Sequence, residues 1–155
     1  MEQHLLEQYI KEHRGMVFRL AYSYVKNRED ADDITQDAFM RLFTSTQTFA
    51  DNAHVKAWLI RVTANLAKDM LRSVRYRNRE ELPDDIPVET AEEHGLLDSV
   101  KKLKPEYSAA IYLFYYEGYS VKEIAALCRT TSCAVRTRLN RARNRLREML
   151  TKEEM

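Results

Sequence analysis

Apolar residues recur along this chain at steps of three and four, the spacing of a buried helical stripe, and no stretch alternates at the period of a strand. The pattern predicts a helix over residues 2–13 and another over 16–26, where Val17, Leu20, Ala21 and Tyr24 share a face. Asn27 interrupts it. Over 29–43 the apolar positions Ala31, Ile34, Ala38 and Leu42 keep the helical period. Residues 44–53, TSTQTFADNA, are polar and rich in turn formers, so they read as a loop. A long helix is predicted over 54–75, with Val55, Trp58, Leu59, Val62, Leu66 and Met70 as its buried stripe.

The pattern then stops. Residues 76–94 contain Pro83 and Pro87, a run of acids and few apolar positions, too little to bury a core, and read as a flexible linker. Periodicity resumes near Gly95 with a short helix over 96–103. Pro105 opens the next, over 106–117, and Gly118 stands where a helix C-cap is expected. Ser120 and Glu123 have the spacing of a capping box for a helix of about eight residues. The last helix spans roughly 132–150 with the stripe Val135, Leu139, Ala142, Leu146 and Leu150. The expected fold is all-α: two small helical domains, 1–75 and 95–155, joined by the acidic linker 76–94.

Composition sharpens this picture. Three Gly and three Pro in 155 residues suit a mostly helical chain. No apolar run approaches membrane length, and the amphipathic N-terminus is unlike a signal peptide, so no membrane insertion is expected and the setting is cytoplasmic. The two cysteines, Cys128 and Cys133, are then expected as reduced thiols. A net charge of +1 conceals an asymmetry: residues 73–95 sum to −4 and residues 96–155 to +5. That favours a nucleic-acid module joined to a module of another kind.

The candidate chemistry is binding. Between Glu123 and Glu148 there is no acid, and six arginines fall from Arg136 to Arg147. After a short capped helix, such a segment reads as a helix-turn-helix whose second helix enters the major groove. Ser132, Cys133, Arg136, Thr137 and Asn140 would face base edges, and Arg138, Arg141 and Arg145 phosphates. The bland alternative is a solvated coiled-coil or protein-binding face. On the long helix, Arg61, Asn65, Lys68, Arg72 and Arg75 share a side opposite the apolar stripe. Phe49 in the preceding loop could stack an unpaired base, although basic helix faces are common and Phe49 and Trp58 also suit a core. In EDADDITQDAF, Asp30, Asp33 and Asp37 share a side with Gln36 beside them, either a solvated face or a docking surface for a basic partner. The cysteines lack zinc spacing, the four histidines are scattered, and no phosphate loop or placed nucleophile occurs, so no catalysis, metal or cofactor is expected.

These residues together resemble the extracytoplasmic-function sigma factors of bacterial RNA polymerase. The similarity rests on DADDITQDAF at 30–39, WLIRVTANLAKDMLR at 58–72, IAALC at 124–128 and VRTRLNRARNRL at 135–146, in family order around a linker. The resemblance implies that Asp33, Gln36, Asp37 and Arg41 dock on core RNA polymerase. It implies that Phe49, Asn52, Lys56, Arg61, Asn65 and Lys68 recognise and open the minus-ten element, capturing a base of the melted non-template strand. It implies that the last helix reads the minus-thirty-five duplex, that the linker threads the polymerase, and that an anti-sigma factor restrains the protein until a stress or envelope signal. The chain departs from the family pattern in places: Arg129 replaces the usual turn glycine and Cys128 the leucine before it, Ala134 a frequent threonine, and Asp51 and Val55 a Gly and a Phe. An arginine at positive φ is costly, so a turn of different shape is expected there. Two other classes stay open on the residues alone: a stand-alone helix-turn-helix regulator, and more distantly a nuclease using the carboxylates of 30–37.

Overall fold

A computed structural model describes residues 1–73 and 102–154. These are helical, without a strand among the described residues, and they fall into two compact units. The predicted linker, Arg75 and most of the predicted 96–103 helix lie outside them.

Helices α1 (Gln3–Val25), α2 (Arg28–Thr44) and α3 (Asn52–Arg72) form the first unit, each packed on the other two. The two helices predicted over 2–13 and 16–26 are one. Gly15 does not break α1, because an internal glycine costs only about 0.5–1 kcal/mol. The buried side runs past it from His13 and Met16 to Val17, Leu20, Ala21 and Tyr24. The chain turns at Lys26, left-handed at φ 63°, whose N–H returns to the Tyr22 carbonyl at 2.9 Å. Asn27 is more than an interruption. Its Oδ1 accepts the Asp30 N–H at 2.8 Å and its Nδ2 donates to the Asp30 carboxylate at 2.9 Å, capping α2. Asp30 is therefore buried in the cap, and leaves the acidic face on which the sequence pattern put it.

The α2 stripe of Ala31, Ile34, Ala38 and Leu42 is buried as predicted. The α3 stripe is turned. Val55 and Leu59 are fully buried, but their companions are Ile60, Thr63, Ala64 and Ala67, while Trp58, Val62, Leu66 and Met70 are half-buried. Two helices pack on α3, and small residues let both approach; a stripe drawn through the largest apolar side chains misses them.

The second unit holds α4 (Pro105–Ile111), a π-helical turn (Tyr112–Tyr116), α5 (Val121–Leu127) and α6 (Ser132–Glu154). Leu113, Ile124, Leu127, Val135, Leu139 and Ala142 form its core. Pro105 opens α4 as expected, but the helix predicted to 117 widens at Tyr112. The Glu117 N–H reaches the Tyr112 carbonyl at 3.1 Å, one residue beyond α spacing, and the Tyr112 hydroxyl donates to the Glu117 carboxylate at 2.7 Å. Gly118, at φ 78°, ends the turn. The stripe on α6 fades: Leu146 is half-buried and Leu150 is 45% exposed.

Candidate nucleic-acid interfaces and docking face

Both arms of the predicted capping box are made. Ser120 accepts the Glu123 N–H at 3.1 Å, and the Glu123 carboxylate accepts the Ser120 N–H at 2.9 Å. The Ser120 backbone N–H first, and the Ser120 hydroxyl near the carboxylate second, hold the Glu123 carboxyl below the ordinary carboxylate range. At the other end of α5, Arg129 takes the left-handed conformation at φ 55°. The Thr130 N–H returns to the Ala125 carbonyl at 2.9 Å and the Arg129 N–H to Ala126 at 3.4 Å, the Schellman pattern. The turn keeps the shape that glycine adopts easily, contrary to the expected change, because the paired carbonyls and the buried Leu127 and Cys128 hold it against the strain. Thr131 then caps α6, its Oγ1 accepting the Ala134 N–H at 3.0 Å.

On α6 the buried Val135, Leu139 and Ala142 set the outward side. Cys133, Arg136 and Asn140 are exposed there, with Ser132 and Thr137 half-buried and the Thr137 hydroxyl donating to the Cys133 carbonyl at 3.0 Å. The arginines do not act alike. Arg138 is turned toward α4, 3.8 Å from the Glu106 carboxylate, and Arg141 lies 3.5 Å from the Tyr107 hydroxyl. Arg145 is 3.8 Å from Glu148. Arg143, absent from the candidates, is the anchored one. Its Nε donates to the Tyr115 hydroxyl at 2.6 Å, its guanidinium lies over the Phe114 and Tyr115 rings at 5.9 and 5.7 Å, and its Nη1 donates to Asn140 Oδ1 at 3.2 Å. It thereby orients a candidate base reader. The aromatic run at 112–116 is the only sequence signal for such an anchor.

The first unit carries a second face. His54, Trp58, Arg61, Asn65, Lys68 and Arg72 follow one another at steps of four and three, on the side of α3 away from Thr63, Ala64 and Ala67. Arg61 is exposed, and Asn65 and Lys68 are half-buried; Lys56, also half-buried, stands about half a turn round α3 from this face. Phe49 does not project freely. Its ring meets His54 and Trp58 edge-on, with centroids 5.1 and 5.7 Å apart. Asn52 is exposed yet held, its Oδ1 accepting from buried His13 Nε2 at 2.8 Å. His13 and His54 are thus the residues here that sequence reasoning missed; only the placement of His54 one turn before Trp58 hinted at a role.

Asp33, Gln36, Asp37 and Arg41 are exposed on α2, with Arg41 Nε 3.6 Å from Asp37 Oδ1. Beside them the structure shows an apolar groove of about 450 Å³ between α1 and α2, lined by Leu6, Ile10, Phe39, Met40 and Phe43 together with Arg14, Asp32, Thr35 and Gln36. Met40 is 60% exposed and Phe43 40%, so the apolar rim of the groove is open to solvent. Among the described residues no cluster of His, Cys, Asp or Glu could hold a metal, and no helix is long and apolar enough to cross a membrane.

Two family models match the chain. Residues 9–77 match Sigma-70 region 2, and residues 94–146 match Sigma-70, region 4. The chain is 35% identical over 162 residues to the ECF RNA polymerase sigma factor SigE of Mycolicibacterium smegmatis, covering 94% of this chain and 62% of that protein. It is 31% identical over 159 residues to the RNA polymerase sigma factor SigV of Bacillus subtilis, covering 97% and 94%. Among solved structures it is similar to the sigma factor RpoE of Bartonella quintana, crystallised with the anti-sigma factor NepR (TM-score 0.75, 24% identity, 94% and 96% covered). It is also similar to CnrH in complex with the cytosolic domain of CnrY (TM-score 0.69, 25% identity, 97% and 90% covered).

Proposed function

This chain belongs to the ECF RNA polymerase sigma factors, and from that premise we propose that its three exposed faces divide promoter-specific initiation between them. The acidic face of α2, Asp33, Gln36, Asp37 and Arg41, with the apolar groove beside it, docks on core RNA polymerase. The basic stripe of α3 and the loop before it, with Phe49, Asn52, Lys56, Arg61, Asn65 and Lys68, take up and open the minus-ten element. Helix α6 reads the minus-thirty-five duplex through Ser132, Cys133, Arg136, Thr137 and Asn140, while Arg138 and Arg141 flank it. The working boundaries are 1–75 and 95–155, with 76–94 between them. The protein performs no chemistry of its own, works in the cytoplasm, and is held in check by an anti-sigma partner.

One observation carries this reading. The first unit turns an acidic and apolar face outward on α2 and a basic stripe outward on α3, so a protein partner and a nucleic acid can be held at once. Energetics support the need for both. Opening DNA costs about 1.4 kcal/mol per stacking step. A captured base returns roughly 1–3 kcal/mol. Several opened steps therefore exceed what the chain alone supplies, and core polymerase must contribute the rest.

The test is charge reversal of Asp33 and Asp37 to Lys. Core polymerase binding should weaken more than tenfold while the variant stays folded and its affinity for duplex DNA stays unchanged or rises. Unchanged core binding would instead favour a regulator that works on DNA alone.

A further inference from the structure

The loop joining α2 to α3 is gathered around one imidazole. The Ala50 N–H donates to His54 Nδ1 at 3.0 Å. The Gln47 side-chain amide lies 3.4 Å from His54 Nε2. The Phe49 ring meets the imidazole edge-on at 5.1 Å, and the Asp51 carboxylate, accepting the His54 N–H at 2.8 Å, fixes the first turn from which the ring projects. A backbone N–H can only donate, so Nδ1 carries the lone pair and the ring proton sits on Nε2; the Gln47 amide nitrogen is itself a donor, so its 3.4 Å approach to Nε2 is a packing contact and not a hydrogen bond. His54 is not a core residue: it is half-buried, and neighbouring Val55 and Leu59 do the burying. It stands instead at the head of the stripe that continues through Trp58, Arg61 and Asn65.

We propose that His54 is the positioning residue of the minus-ten loop: it holds Phe49 and the 47–50 backbone in the shape that receives an unstacked base, and so sets how tightly that one base is held against an empty position. The inference rests on the reading that this loop captures a base. Without the Nδ1 acceptor the Ala50 N–H turns to water, Phe49 loses half of its edge-on support, and the loop samples shapes in which the captured base has no fixed partner. The consequence is local. Docking through α2 and reading through α6 do not involve this ring.

The test uses holoenzyme made from core polymerase and the full chain. Probes are single-stranded non-template oligonucleotides, with each minus-ten position changed in turn to an abasic site and 2-aminopurine reporting unstacking. With the native chain, one position should show the unstacking signal and discriminate a base from an abasic site by about tenfold, the factor one stacked base supplies. His54→Ala and His54→Phe should lose that discrimination at that position alone, with core affinity and melting temperature unchanged. His54→Asn, whose Oδ1 can stand where Nδ1 stood, should restore much of it. Loss spread evenly over all positions, or loss that tracks a fall in melting temperature, would overturn the proposal in favour of a structural role. If Phe49→Ala abolishes discrimination and His54→Ala keeps it, the base-capture reading stands and the role of His54 falls. If the native chain shows no unstacked position, the base-capture reading fails, and the proposal with it.

Discussion

Arg129 shows how a single residue carries strain for the sake of a turn. A left-handed L-residue costs about 1–2 kcal/mol. Arg129→Gly removes that strain but adds chain entropy to the unfolded state, so a net gain of about 1 kcal/mol is expected, read by urea unfolding of the full chain. Asn27 works in the opposite sense. Its side chain caps α2 and partners buried Asp30, so Asn27→Ala should destabilise the first unit by about 2 kcal/mol. Glu123 supplies a check by titration. Its folded carboxyl lies below the ordinary value, so the stability it contributes is present above the unfolded value and is lost as pH falls through the folded one. Ser120→Ala keeps the backbone N–H and removes the hydroxyl, so it should move the NMR titration midpoint upward only part of the way; an unmoved midpoint would mean that the hydroxyl contributes nothing to the shift. At this scale the sequence was only partly legible. Spacing alone found the Ser120–Glu123 box. It could not find the partners of Asn52 or Asn140, because His13 lies 39 positions from Asn52 and the Tyr115 that anchors Arg143 lies 28 away.

Helices were easier to read than their faces. Periodicity located α2 to within a residue or so at each end, since Asn27 and the polar loop bound it sharply. It split α1 at Gly15, where propensity and packing disagree and packing wins. Gly15 is exposed, and a Cβ there would meet only the mobile end of the Arg19 side chain, at 2.9 Å. Gly15→Ala should therefore stabilise the first unit by about 0.5–1 kcal/mol, visible as a higher melting temperature. The face of α3 was misdrawn because alanines and a threonine carry little weight in a hydrophobic count, yet they mark where two neighbours come closest. Of the basic side drawn on α3, Arg61 and Arg72 are exposed, Asn65 and Lys68 are half-buried, and Arg75 lies outside the described residues. On α6 the outward positions should separate by kind of contact. Arg136→Ala should cost about 1–3 kcal/mol and relax specificity at one base pair of the minus-thirty-five element. Arg145→Ala, farther along the helix, should weaken all sequences alike and lower the salt slope by about one. Equal behaviour of the two variants in a salt series on matched and mismatched duplexes would remove Arg136 from the base-reading set.

Across the whole molecule, the charge asymmetry is legible in the sequence alone: a net of −4 over residues 73–95 against +5 over residues 96–155. It assigned nucleic acid to the second unit but gave no warning of the apolar groove beside Asp33 and Gln36, because its lining comes from two helices that periodicity treats one at a time. On the proposed reading, the groove and the acidic face together take a protein partner, and the α3 stripe takes a nucleic acid. A chain so divided should act only through polymerase. Transcription by purified core polymerase, with and without this chain, on fragments of its own genome tests that dependence most directly. New discrete start sites, sharing one element near minus ten and one near minus thirty-five and appearing only when the chain is added, are the expected result. No association with core and no new starts, together with tight binding of the chain alone to a palindromic duplex, would contradict it.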